Sequence, residues 1–217
     1  MTRGRLSAFQ TAVLDEFFVH ERGFFLSGGG ALVGFHLKHR ETTDLDLFTA
    51  SADAFERVRL SFPHLAKDLG GSLSVLQDAP GFRRVVVERS SEALVVDLVR
   101  DIGPQLHEKA EIDGIIVDSI EEIFSNKLTT LVGRQEVRDL VDVLELERRG
   151  LRVEAFLAEA SAKDGGCTPA TLAWLLNQWP LPANTKLPVG YQLEELRRFK
   201  DDLAERMAIA AHPRSSP

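Results

Sequence analysis

Apolar side chains recur at three- and four-residue spacing in the first half of the chain, and this spacing predicts amphipathic helices. The first predicted helix covers 6–17. A second follows a glycine run over 31–37. A third covers 54–69, where Pro63 marks a kink or a boundary. Between these predicted helices, the apolar residues do not follow helical spacing, so the first half of the chain is not purely helical.

Short apolar runs, bounded by Gly, Pro and Ser, predict strands between and after these helices. They cover 24–26, 43–48, 72–76, 82–88 and 93–99, and a last hairpin or edge strand lies over 112–117. A strand-helix-strand unit followed by a meander of this kind predicts a mixed sheet with helices on one side. The sequence therefore predicts an α+β domain over residues 1–118.

From Ser119 onward the pattern is helical. Residues 119–122 form a capping-box signature, which is typical of the start of a helix. Apolar spacing then predicts further helices over 137–149, 153–162, 169–178 and 193–211. We therefore predict a helical C-terminal domain over residues 119–217.

Composition and charge narrow the class of protein. No stretch has the roughly 18 to 20 uninterrupted apolar residues of a membrane helix, and Asp15 and Glu16 interrupt the segment that would serve as a signal peptide. We expect no membrane association and a cytoplasmic location.

Cys167 is the single cysteine, which excludes an internal disulfide. The net charge of −7 argues against a protein that coats nucleic acid, but it permits an enzyme with one local RNA-binding patch.

Two aspartates are the first candidates for chemistry. Asp44 and Asp46 alternate with leucines on a predicted strand, so both leave the same face with alpha carbons about 7 Å apart. Their carboxylates can converge on one metal ion or bridge two, and Mg²⁺ prefers such ligands. Taken alone, the same pair is also typical of solvated charge on an open strand face.

Asp97 strengthens the metal interpretation because its neighbours within 93–99 are apolar. Burying an unpaired carboxylate costs several kcal/mol, so either a cation or a metal ion must compensate it. An arginine such as Arg84 or Arg100 is one candidate partner. We favour the other, in which Asp97 is a third metal-facing carboxylate on a neighbouring strand.

The glycine run Gly28-Gly29-Gly30 lies between a predicted strand and a predicted helix. Backbone amides there can approach a phosphate at the positive end of a helix dipole, although three glycines also suit any tight turn. Residues 38–40, Lys-His-Arg, lie between this run and the aspartates. They can contact a triphosphate, or simply form a solvated helix end.

Three further basic residues, Lys127, Arg134 and Arg138, share one helical face if a turn falls near Gly133. Such a face would hold phosphates or position the catalytic domain. Arg138 and Asp142 are also one helical turn apart, which is the spacing of an ordinary surface ion pair.

In their order along the chain, these segments resemble the motifs of AbiEii-type nucleotidyltransferases, the toxins of type IV toxin–antitoxin and phage-abortive systems. The segments are 24–32, 39–48, Asp97, Lys127-Leu128, Arg134 and 138–142. The resemblance spans residues 24 to 146. It implies a nucleotidyltransferase-like core related to that of DNA polymerase β.

The resemblance also implies roles for individual residues. Asp44, Asp46 and Asp97 would hold two Mg²⁺ ions, or Mn²⁺ in their place, and Asp97 would activate the acceptor hydroxyl. Lys127 would assist catalysis on a bound nucleoside triphosphate. The implied nucleotide-binding residues are Ser27, Gly28, Gly29, Arg40, Arg134 and Arg138.

The implied acceptor is RNA, in some members the 3′ end of a transfer RNA, so that growth stops when charging fails. A cognate antitoxin is the implied protein partner. Two alternatives stay open: transfer to a protein or a small molecule, and a degenerate nucleotidyltransferase fold that only binds. The second rests on Gly30, which stands where a Thr is usual, so that a hydroxyl contact to phosphate would be missing unless Ser27 supplies it.

Overall fold

The computed structural model describes residues 3–212 of the chain. The chain divides after Ile120 into two compact units, one mixed and one helical. The combination of a mixed sheet with flanking helices and a helical C-terminal part confirms the predicted α+β class. None of the helices in the described range is long and apolar enough to cross a membrane.

The first unit contains the sheet and the helices beside it. Its elements are α1 (Ala8–His20), β1 (Phe25–Ser27), α2 (Gly28–Ala31) with a π-helical continuation over Leu32–His36, β2 (Asp44–Thr49), α3 (Ala52–Asp68), β3 (Ser72–Ala79), β4 (Phe82–Arg89), β5 (Glu92–Arg100), β6 (Ala110–Ile112) and β7 (Ile115–Val117). The predicted strands and helices are confirmed in type and order. Many of the predicted boundaries shift by up to about three residues. The shift with a consequence for the site is at α2, which begins at Gly28, so that the glycines themselves form its first turn.

Pro63 lies inside α3 and does not end it. Proline has no N–H, so the carbonyl of Arg59, four residues earlier, loses its usual helical partner. Arg83 Nη1, on β4, donates to that oxygen at 2.9 Å. A side chain of the sheet therefore satisfies the carbonyl that the proline leaves without a helical donor.

The seven strands lie in the order β3-β4-β5-β2-β1-β7-β6. β2 pairs with β5 in parallel and with β1 in antiparallel, and β1 pairs with β7 in parallel. In this register Asp46 lies beside both Asp97 and Ser27, and Asp97 lies beside Arg84. The centre of the sheet thus carries a row of polar residues across four strands.

The opposite face of the same strands forms the core. Leu45 and Leu47 alternate with the aspartates of β2 and are fully buried. On that side Phe17 of α1 packs edge-on against Phe24 and against Phe62 of α3, with ring centroids 5.5 and 5.7 Å apart. The period-two pattern of β2 therefore separates an apolar packing face from an acidic face.

The second unit contains helices and no strands within the described residues. Its elements are α4 (Ile120–Gly133), α5 (Val137–Arg148), α6 (Val153–Lys163), α7 (Pro169–Gln178) and α8 (Leu193–Ala211). α4 ends at Gly133, where a turn was predicted. Cys167 is buried, and burial raises the pKa of its thiol to about 12, so it is a poor nucleophile at neutral pH.

Candidate active site

The structure brings Asp44, Asp46 and Asp97 to one face of the sheet. Asp46 and Asp97 are directly paired across the parallel strands β2 and β5, and Asp44 is two residues before Asp46 on β2. Paired residues on neighbouring strands point to the same face, as do alternate residues along one strand. Thr42 Oγ1 donates to Asp44 Oδ1 at 2.8 Å, which orients that carboxylate.

Arg84 compensates the charge of Asp97. Its Nε and Nη2 donate to the two carboxylate oxygens at 2.7 and 2.6 Å, a bidentate contact made across β4 and β5. The side chain of Asp97 is only 8% exposed, whereas that of Arg84 is 44% exposed. The hydrogen bonds to Asp97 raise the pKa of Arg84, and the charges of Asp44 and Asp46 add to this effect. The arginine partner considered from the sequence is therefore present, on the same face as the other two aspartates.

The glycine turn lies directly against the acidic face. Gly28 has φ +61°, and a Cβ added there would lie 2.6 Å from Asp46 Oδ2. A Cβ on Gly29 would lie 3.0 Å from Arg40 Nη2 and 3.3 Å from Thr42 Oγ1. The absence of side chains at Gly28 and Gly29 therefore lets the backbone of α2 approach both Asp46 and Arg40, two of the predicted site residues.

Gly30 does not face this site. A Cβ at this position would lie 3.1 Å from Leu45 Cδ2 and 3.2 Å from Leu26 Cδ1, which belong to the apolar face. The expectation that Gly30 removes a hydroxyl contact to phosphate is therefore wrong, because a side chain here points into the core. The argument for a degenerate, non-catalytic fold loses its main support.

Ser27 takes part in a buried hydrogen-bond group that the sequence did not reveal. Its Oγ donates to Asp118 Oδ2 at 2.8 Å, and Gln105 Nε2 donates to Asp118 Oδ1 at 2.7 Å. Asp118 is 1% exposed and comes directly after β7, the parallel neighbour of β1. An aspartate at the carboxyl end of an apolar strand was the available signal. The Ser27 hydroxyl thus donates its hydrogen bond to Asp118. The predicted contact of Ser27 with a phosphate stays a prediction.

The sequence was compared with models of known protein families. A family described as the nucleotidyl transferase AbiEii toxin of type IV toxin–antitoxin systems matches residues 13–212. The chain belongs to the AbiEii family. No curated protein matches the sequence.

Solved structures share the fold of this AbiEii-family chain. A candidate nucleotidyltransferase from H. pylori is 18% identical over 95% of both chains, with a TM-score of 0.56. JHP933 from Helicobacter pylori is 23% identical, with a TM-score of 0.56, over 91% of this chain and 88% of its own. At these identities the likeness establishes the fold alone.

Within the helical unit of the AbiEii-family chain, Lys127 is engaged by carboxylates. Its Nζ lies 2.6 Å from Asp139 Oδ1 and 2.7 Å from Asp142 Oδ2, and all three side chains are buried. Burial alone would lower the pKa of Lys127, but the two carboxylates outweigh it and raise that pKa. These contacts give Lys127 a structural role; the predicted catalytic role stays a prediction.

The two predicted arginines of this unit also contact acidic residues. Arg134 Nε donates to Asp139 Oδ2 at 2.9 Å, and Arg138 Nε donates to Glu136 Oε2 at 2.6 Å. The structure therefore brings Arg134 and Lys127 together on Asp139. Arg134 and Arg138 are both partly exposed, so neither contact removes a guanidinium from solvent.

Among the described residues, the three aspartates do not form a group whose possible ligand atoms all lie within 4.8 Å of one another, but another set of side chains does. Side-chain ligand atoms of Glu16, His20 and Asp68 lie within 4.8 Å of one another in the described part of the chain. His20 Nε2 lies 2.9 Å from Glu16 Oε1, one turn away on α1. An ordinary surface ion pair accounts for that contact, so it does not by itself indicate a metal.

Proposed function

We propose that this AbiEii-family chain transfers a nucleoside monophosphate from a nucleoside triphosphate to an acceptor hydroxyl at the face formed by Asp44, Asp46 and Asp97. The observation that carries the proposal is the direct pairing of Asp46 with Asp97, combined with the approach of the Gly28 backbone to Asp46. The acidic side chains and the half-buried backbone of Gly28 thereby lie on the same face of the sheet.

The residues of this face fit a hard divalent cation. Carboxylate oxygens are the ligands that Mg²⁺ and Mn²⁺ prefer, and the missing side chain of Gly28 leaves room beside Asp46. Asp44, Asp46 and Asp97 would hold the metal ions, which supply charge stabilisation to the attacking and leaving oxygens of an in-line displacement.

The protein's own groups would position the reactants. The amides of the glycine turn and the guanidinium of Arg40 would bind the triphosphate, since Gly28 lies against Asp46 and Gly29 lies against Arg40. Asp97 would accept the proton of the acceptor hydroxyl as the bond from its oxygen to the α-phosphorus forms. The bond from the α-phosphorus to the leaving oxygen then breaks, and pyrophosphate departs.

We further propose that the acceptor is an RNA, with the 3′ end of a transfer RNA as the first candidate. Family membership supports this choice, because the matched family consists of toxins, and the loss of acceptor RNA would stop growth. In the same proposal a cognate antitoxin is the protein partner. Transfer to a protein or a small molecule at the same site is the alternative acceptor chemistry.

The test supplies the chain with each α-labelled nucleoside triphosphate and Mg²⁺ or Mn²⁺, together with total RNA or total protein. Label should enter RNA with the wild type and with the matched control Glu92→Gln, which removes an exposed carboxylate from the start of β5. Asp46→Asn should fold and transfer no label. Label found only in protein would refute the RNA acceptor, and no transfer under any condition would refute the enzyme.

A further inference from the structure

Arg84 lies where a cation would have to bind. It is paired in register with Asp97, which is itself paired with Asp46, so the guanidinium lies on the acidic face of the sheet. Its bidentate bonds take both oxygens of Asp97. A metal ion held by Asp97 would therefore bind an oxygen to which Arg84 already donates, and the two positive charges would repel each other.

The charges explain why a cationic side chain is favourable at this position. Asp44, Asp46 and Asp97 place three carboxylates on neighbouring positions of two strands, and like charges at such separations repel. The electrostatic effect of all three aspartates reaches Arg84. A positive group at this position lowers the repulsion and satisfies the most buried of the three carboxylates.

The exposure of Arg84 allows it to leave. Its side chain is 44% exposed, while that of Asp97 is 8% exposed, so the arginine approaches the buried acid from the solvent side. Arginine binds phosphate with the same planar, bidentate geometry with which it binds a carboxylate. A triphosphate arriving beside Asp46 would offer the guanidinium a second anion.

We propose that Arg84 is a displaceable counter-ion: it holds Asp97 while no cation is bound, and it transfers to a phosphate of the nucleoside triphosphate when divalent cations bind the three aspartates. This inference rests on the proposed function. Its consequence is that Arg84 weakens metal binding in the absence of nucleotide and couples the binding of metal to the binding of nucleotide.

The test measures Mn²⁺ binding to the full chain by the loss of the electron paramagnetic resonance signal of free Mn²⁺, with and without a non-hydrolysable nucleoside triphosphate. Arg84→Gln should bind Mn²⁺ at least about fivefold more tightly than the wild type without nucleotide, because a hydrogen-bonded charge no longer competes. The gain in Mn²⁺ affinity that nucleotide produces should be smaller in this variant than in the wild type.

Arg100→Gln is the matched control. Arg100 is an exposed arginine at the end of β5, so the change removes the same charge from a neighbouring position without freeing Asp97. It should leave both the affinity and the coupling at the wild-type values. Arg84→Lys keeps the charge but loses the bidentate contact, so it should also bind Mn²⁺ more tightly than the wild type, by less than Arg84→Gln. Circular dichroism checks that each variant folds.

The outcomes separate this inference from the proposed function. Unchanged or weaker Mn²⁺ binding in Arg84→Gln and Arg84→Lys, with binding still abolished by Asp46→Asn, would overturn the counter-ion and leave the metal site standing. Equal Mn²⁺ binding by the wild type and Asp46→Asn would overturn the metal site itself, and the counter-ion with it.

Discussion

Gly28 shows how one residue without a side chain shapes the proposed site. Its φ of +61° is strained for other residues, and an added Cβ would lie 2.6 Å from Asp46 Oδ2. We expect Gly28→Ala to lose about 1 kcal/mol or more of folding stability and to lose nucleotide transfer, because Asp46 must move. Urea denaturation and the labelled transfer assay measure the two effects.

Gly114 provides the control for that substitution. It lies in the turn between β6 and β7 with φ +82°, and a Cβ there would meet no atom within 4 Å. Gly114→Ala should therefore share the backbone strain and keep full transfer activity. Equal activity of the two variants would show that the close approach of Gly28 to Asp46 has no part in catalysis.

Gly30 yields the opposite expectation. A threonine there would press on Leu45 and Leu26, which approach an added Cβ to 3.1 and 3.2 Å. Gly30→Thr should therefore destabilise the fold, by roughly 1–3 kcal/mol if the core cannot adjust, and should not raise nucleotide affinity. Calorimetric titration with a nucleoside triphosphate and Mg²⁺ checks this; tighter binding by the variant would mean that the side chain reaches the phosphates after all.

At this scale, the sequence predicted the carboxylates better than their surroundings. Alternation in β2 was sufficient to place Asp44 and Asp46 on one face, and the apolar neighbours of Asp97 indicated a buried charge. The direction of Gly30 and the bond from Ser27 to Asp118 depend on the three-dimensional path of the chain around α2. The spacing of residues along the sequence does not predict that path.

Among the elements, α4 and α5 are joined by a buried charge cluster of Lys127, Asp139 and Asp142. Removing one partner from a buried ion pair leaves uncompensated charge, which costs about 3–5 kcal/mol. We expect Lys127→Met to lose stability of this order in urea denaturation. Lys186→Met, a change at an exposed lysine, is the control and should lose almost none. A loss below about 1 kcal/mol would contradict a buried, charged cluster.

The pH dependence of this effect follows from the raised pKa of Lys127. A lysine with a raised pKa in the folded state contributes stability that is fully present below its pKa in the unfolded chain. That contribution disappears as the pH rises through the pKa of the folded state. The difference between Lys127→Met and the wild type should thus be constant from pH 6 to about pH 9, and it should shrink only above about pH 10.4.

Sequence periodicity located the elements to within a few residues, and the shift at the start of α2 has a physical cause. Glycine is a poor helix former, so the run at 28–30 predicted a turn before the helix, whereas α2 begins at Gly28. Close packing beside β2 outweighs that propensity. The prediction of a shared phosphate-binding face for Lys127 and the two arginines used helical spacing alone. It could not show that Asp139 and Asp142 would bury the lysine.

The whole molecule belongs to a family of toxins, which leads to a cellular prediction. Expression of the wild-type chain in a bacterial host without an antitoxin should arrest growth, and expression of Asp46→Asn to the same level should not. Growth curves and immunoblots measure growth and protein level. Arrest by Asp46→Asn equal to that by the wild type would separate toxicity from nucleotide transfer.

The proposed activity of the whole chain depends most on where divalent cations bind. Crystals grown with Mn²⁺ and a non-hydrolysable nucleoside triphosphate would show the metal directly by anomalous scattering. We predict Mn²⁺ between the carboxylates of Asp44, Asp46 and Asp97, with the triphosphate beside Gly28. Mn²⁺ bound only at Glu16, His20 and Asp68, with no metal or phosphate at the three aspartates, would contradict the proposed active site.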